Sequence, residues 1–174
     1  MAVPIVHLVP LLTDNGRTLD EATTVLTLLM FSGAFGRIVG GKLGDTIGAL
    51  PGYILMSAGQ TVSVLWFPYF HSDLSLYLLA IVFGFTYSGV MSSILVCTRN
   101  MVSARYSGRA MSITSFFGWI GMGTGGVVGG LLFDATGNYD YSFTYAAGVG
   151  VINLIILGLF FMRIKTQGAL KPAI

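Results

Sequence analysis

Four long stretches of this chain contain no Asp, Glu, Lys or Arg: residues 46–72, 74–98, 110–133 and 141–162. A fifth, residues 22–41, is interrupted only by Arg37. A helix crosses a hydrocarbon layer of about 30 Å with roughly 20 apolar residues, so each of these five is long enough to span. No soluble architecture has a use for five such runs in 174 residues. With 54% hydrophobic and 9% charged residues, the chain cannot build the charged skin of a soluble globule. A disordered tail, a nucleic-acid-binding arm and an ordinary soluble enzyme are excluded on the same ground. The 24 glycines fit membrane helices, which pack closely through small residues.

The expected architecture is therefore all-α: a polytopic membrane bundle with five full transmembrane helices and a truncated first one. The expected helices cover residues 2–12 (partial), 22–42, 50–70, 74–97, 109–133 and 142–163, in one transmembrane domain over residues 1–174. The first apolar stretch, Ala2 to Leu12, reaches only about 16 Å at 1.5 Å per residue, about half a span. It lacks a basic flank and a small-residue cleavage site, and reads as the outer half of a helix rather than a signal peptide.

The connecting charges alternate in sign. Asp14, Arg17, Asp20 and Glu21 precede the second segment, Asp73 precedes the fourth, and Asp134 and Asp140 precede the sixth. The other connections carry Arg37, Lys42 and Asp45, then Arg99, Arg105 and Arg109, and the tail carries Arg163, Lys165 and Lys171. Eight of nine basic residues thus fall on one side and six of seven acidic residues on the other. The positive-inside rule places the basic side and the C-terminus in the cytoplasm of a multi-pass protein of the cell membrane.

Candidate functional residues are few. Arg37 is a permanent charge within a span, where such a residue faces a cavity or a partner, or snorkels to lipid phosphate. His7 can hydrogen-bond a substrate, shuttle a proton or tie two helices. Tyr87 heads a run of hydroxyls, with Thr86, Ser88, Ser92 and Ser93, that lines a polar cavity or bonds its own helix. Gly121, Gly125 and Gly129, four residues apart, share one helix face and read as a close-packing stripe. Trp66, Tyr69 and Tyr139 read as anchors at the membrane interface. The single cysteine, Cys97, and two histidines far apart in sequence offer no metal site. Neither a cofactor signature nor a catalytic constellation is present, and nothing points to nucleic acid.

The turn Gly41-Lys42-Leu43-Gly44-Asp45-Thr46-Ile47-Gly48 resembles the G-x-L-x-D-x-x-G loop that joins the second and third helices of each half of the major facilitator superfamily. Gly36-Arg37-Ile38-Val39-Gly40-Gly41, Gly108-Arg109-Ala110, the run Gly129 to Tyr139 and His7-Leu8-Val9-Pro10 together resemble the C-terminal half of its monocarboxylate transporter and oxalate/formate antiporter branch. The resemblance implies a secondary carrier for a small organic monocarboxylate. Arg37 would meet the anion, with His7 and Tyr87 on the wall. Gly41, Asp45, Gly48 and Arg99 would form the cytoplasmic gate. It implies as partners the lipid bilayer and a missing N-terminal six-helix half or a separate partner chain. The branch's Asp four residues before the arginine is Gly33 here, and residues 109–133 hold no lysine past Arg109 for a dicarboxylate clamp. The alternative is a non-transporting membrane subunit that only packs against a partner.

Overall fold

The computed structural model describes residues 3–70 and 72–166. Ala2, His71 and Lys171, which enter the sequence reading, lie outside the described residues. Six α-helices follow one another: α1 (Val3–Asp14), α2 (Leu19–Thr46), α3 (Ala49–Trp66), α4 (Asp73–Met101), α5 (Ser107–Thr136) and α6 (Asp140–Thr166). A single 3-10 turn, Ala104–Tyr106, precedes α5. No strand occurs among the described residues. Each helix outruns its expected segment at one end or both; α3 does so only by Ala49 at its start and stops at Trp66 rather than residue 70.

Local chemistry sets the boundaries. Gly16 takes φ +84°, and the bonds Arg17 N–H to Leu12 C=O and Gly16 N–H to Thr13 C=O close α1 in a Schellman turn. Two residues later Thr18 opens α2 with a reciprocal capping box: its hydroxyl accepts from Glu21 N–H and the Glu21 carboxylate accepts from Thr18 N–H. Ser72 caps α4. Gly137, at φ +68°, ends α5, and the Asn138 side chain accepts from Asp140 N–H to start α6. Arg17 pairs with Asp73, which ties the α1–α2 turn to the first turn of α4.

The 27–30 residues of α2, α4, α5 and α6 give lengths of about 40–45 Å, enough to pass through the hydrocarbon layer and reach both interfaces. By length and composition, four helical stretches among the described residues can cross a membrane, and these are the helices just named. The expectation of five full spans therefore divides. α3, with 18 residues, is not among them, and Ser57, Gln60, Thr61 and Ser63 sit within it. All four are buried, so the polar load is turned into the bundle and away from lipid. Thr61 and Ser63 donate to carbonyls of their own helix at 2.7 Å.

Two apolar clusters hold the bundle. One joins α1, α2, α3, α4 and α6 through buried residues such as Leu8, Leu29, Val64, Phe67, Phe83 and Phe143, with Phe133 of α5 packed against it, toward the acidic end. The second joins α3, α4 and α6 toward the basic end, through Tyr53, Met56, Val90, Cys97 and Leu157.

The tightest contact is a seam of glycines between α2 and α4. A Cβ built on Gly36 would collide with the backbone carbonyl of Phe85, and one on Gly84 with that of Leu29. A Cβ on Gly40 would stand 2.5 Å from the Gly89 carbonyl oxygen. Gly33 faces Ser88, and the buried Ser93 hydroxyl donates to the Gly40 carbonyl at 3.0 Å. Without side chains the two backbones meet directly, and dispersion and Cα–H···O contacts replace the knobs of ordinary helix packing.

The expected stripe on α5 behaves differently. Gly129 is buried against His7, but Gly121 has nothing within 4 Å and Gly125 is only half-buried. Gly129 is the one buried residue of α5. These differences fix an outcome. Gly36→Val forces α2 and α4 apart, and overpacking of this kind costs about 1–3 kcal/mol or more. In a chain this size that lowers the melting temperature in detergent by about 10 °C or prevents folding. Gly121→Ala leaves melting unchanged within about 2 °C. Equal effects of the two substitutions would remove the seam from its place in the fold.

Candidate functional site

Arg37 lies eighteen residues into α2, about 27 Å from its acidic end and about 14 Å from Thr46. It follows Gly36 directly, so the seam that buries Gly36 turns Arg37 to a neighbouring, open face, where it is exposed. Among the described residues Arg37 makes no ion pair. Tyr87 of α4 is buried, stacked on Phe83 with ring centres 5.6 Å apart, and its hydroxyl points at the Met122 sulfur of α5 at 3.6 Å. Thus α4 and α5 meet at one phenol. Met122 was not singled out in the sequence, where a methionine in an apolar run carries no distinguishing signal.

His7 is at another level. It precedes the end of α1 by seven residues, about 10 Å, and so lies some 17 Å nearer the acidic end than Arg37. Its Nε2 lies 2.9 Å from the Gly126 carbonyl of α5, and its ring sits on Gly129. The structure sets His7 and Arg37 at different levels of the bundle.

The remaining hydroxyls divide between helix and seam. Thr86 bonds back to Val82 C=O at 2.8 Å, whereas Ser93 crosses to Gly40. At the basic end, Thr98 and Thr114 share a hydrogen bond of 3.3 Å that joins α4 to α5. Gly48, at φ +97°, gives the backbone its reversal between α2 and α3. Gly44 packs on Val96, and Gly52 approaches the backbone of Gly44, so the turn sits close under α4. Gly41 faces open space. Asp45 and Arg99 are both exposed, and no ion pair joins them among the described residues.

Of the three expected interface anchors, Trp66 and Tyr69 are exposed, with Trp66 stacked on Phe70. Tyr139 is not an anchor. It is buried, stacked on Phe133 at 4.2 Å and 5.6 Å from the His7 ring, because the Gly137 turn folds it back over the end of α5. Among the described residues no three His, Cys, Asp or Glu side chains gather to hold a metal.

Comparison with known proteins adds a lineage to this geometry. The sequence pattern of the Major Facilitator Superfamily matches residues 1–173. Monocarboxylate transporter 13 of Rattus norvegicus is 31% identical over 170 residues, which cover 94% of this chain and 39% of the relative. Monocarboxylate transporter 14 of Mus musculus is 25% identical over 166 residues, 94% of this chain and 31% of the relative. Monocarboxylate transporter 13 of Bos taurus is 30% identical, over 91% of this chain and 38% of the relative. The chain thus spans 31–39% of the length of the curated relatives it matches. The match takes in all six helices, the glycine seam and the turn beneath it, and the chain belongs to the Major Facilitator Superfamily.

Proposed function

We propose that this chain is one half of a secondary carrier that moves small organic monocarboxylate anions across the cell membrane by alternating access. The observation that carries the reading is Arg37: a permanent cation inside a membrane helix, without an acidic partner among the described residues. An anion leaving water for this depth loses its hydration. A guanidinium that forks onto both carboxylate oxygens replaces part of that loss, and the low local dielectric strengthens the pair. The Tyr87 hydroxyl, now spent on a weak sulfur acceptor, is free to turn to the same carboxylate. One cation at this level matches one negative charge, which favours a monocarboxylate over a dicarboxylate. The names of the similar relatives point the same way.

In this reading a second six-helix half completes the cavity, as an N-terminal part of a longer chain or as a separate partner. The two halves rock around the site. The basic end and the C-terminus face the cytoplasm. The Gly41–Gly48 turn, with Asp45 and Arg99, closes that side when the halves come together.

A second reading has its own observation. Phe116, Phe117 and Trp119 of α5 are exposed on the half that carries few contacts, as expected of a subunit whose role is to pack against a partner. Uptake into proteoliposomes by the assembled carrier decides between the two. Arg37→Ala lowers kcat/KM for a monocarboxylate by about two orders of magnitude or more, the loss of a desolvated charge pair. Arg37→Lys restores only part of it, because an ammonium lacks the planar fork. Tyr87→Phe raises KM up to about tenfold, the value of one hydrogen bond. Unchanged uptake in Arg37→Ala would leave the packing reading standing.

A further inference from the structure

The acidic end of the bundle holds a cavity that the anion reading of Arg37 does not use. Its volume is about 780 Å³, within the range of small-molecule sites. Three pieces of chain frame it: the end of α1 with Leu11 and Asp14, the connection after α3 with Tyr69, and the junction of α5 and α6 with Phe133, Tyr139 and Asp140. Two carboxylates line this cavity, and no Lys or Arg does among the described residues. Arg17, three residues from Asp14, is paired with Asp73. Asp14 is exposed and has no cation paired with it among the described residues. The Asp140 carboxylate is fixed in place, since it accepts from Asn138 Nδ2 at 2.8 Å.

Tyr139 supplies an observation that does not depend on charge. Its side chain is only 7% exposed, and its hydroxyl has no hydrogen-bond partner among the described residues. Yet the one fully enclosed side-chain polar atom without a partner, among those residues, belongs to Ser57. The Tyr139 hydroxyl is therefore not walled in, and the surface that Tyr139 does show lines the cavity. Burial, and then the Asp14 and Asp134 carboxylates, push this phenol above its usual range, so it stays neutral and keeps oxygen lone pairs to offer.

These groups select among occupants. An anion is repelled by both carboxylates. A metal ion needs several converging ligands, and no three His, Cys, Asp or Glu side chains gather among the described residues. A neutral apolar molecule would strip water from the carboxylates and give nothing back. An organic ammonium suits every part: the carboxylates take its charge, and aromatic rings attract the charge while packing against its alkyl groups. We propose that this cavity binds a small organic ammonium ion, with Asp14 and Asp140 as counter-charges, Tyr69 and Phe133 as aromatic wall and the Tyr139 hydroxyl as acceptor. Arg37 lies about 27 Å along α2 from this end and would take a ligand of opposite charge, so neither site depends on the other.

Choline and its uncharged carbon analogue, dimethylbutanol, share a shape and differ in charge. The test is equilibrium dialysis of each, radiolabelled, against the whole chain in maltoside detergent at low ionic strength, where no other ammonium competes and screening is weak. Choline binds saturably to a single site, and dimethylbutanol binds about tenfold more weakly or not at all. Asp14→Asn breaks no contact in the fold and weakens choline binding about threefold, the value of an exposed charge pair. Tyr139→Phe, which keeps the stacked ring, weakens it by a similar factor. Circular dichroism confirms that both variants keep their helices. Equal binding of the two probes would reduce the site to an apolar pocket and overturn the assignment. Choline binding that never saturates, or that is unchanged in both variants, would overturn it as well. Displacement of choline by equimolar calcium would make the cavity a metal site instead.

Discussion

The direct approach of two backbones along α2 and α4 is the constraint on which the rest of this bundle depends. Apolar side chains cannot drive helices together in lipid as they do in water, because lipid tails are as apolar as leucine. What is left is contact area at short range and a few hydrogen bonds. Gly33, Gly36, Gly40, Gly84 and Gly89 provide the first, and Ser93 to Gly40 the second. Once α2 and α4 share an axis of contact, the tight turn at Gly48 hangs α3 beside them, and α6 closes on α3 through the cluster around Tyr53 and Leu157. α5 packs more lightly, with Gly129 its one buried residue.

The position of Arg37 is a consequence of that seam. A residue next to a buried glycine is rotated about 100° from it around the helix. Burying Gly36 against Phe85 therefore commits Arg37 to the adjoining, exposed face. The same geometry keeps Arg37 apart from His7, whose level is set by the short α1 and its glycine socket on α5. Two polar residues that a linear reading would place on one cavity wall occupy two levels of the bundle, with different neighbours and different chemistry.

The sequence carried the helices well, since long uncharged runs and capping residues such as Thr18, Ser72 and Gly137 have purely local causes. It carried the packing poorly. Gly121, Gly125 and Gly129 have the spacing of a close-packed stripe, and so do Gly36, Gly40 and Gly44. Spacing says that glycines share a face; it does not say that another helix lies against that face. Only the arrangement of neighbours makes α2 the seam and leaves Gly121 in open space. Tyr139 misled for a similar reason. A tyrosine at the end of a span is commonly an anchor, but the left-handed Gly137 turns the chain back and puts this ring over Phe133. The approach of the Tyr87 hydroxyl to Met122 depends on two helices at once and has no trace in either.

The seam also dictates the solvent. In water, each glycine within a helix weakens it by about 1 kcal/mol relative to alanine. α2 holds five glycines, Gly33, Gly36, Gly40, Gly41 and Gly44. As an isolated peptide in water, α2 would be a poor helix and would expose its backbone along the very line where α4 docks. Inside a bilayer that line cannot be hydrated, and an unmade backbone hydrogen bond is too costly to tolerate. The feature that lets the two helices meet is therefore the one that makes the helix dependent on lipid: the membrane keeps α2 wound, and the glycines, relieved of that task, are left to shape the contact.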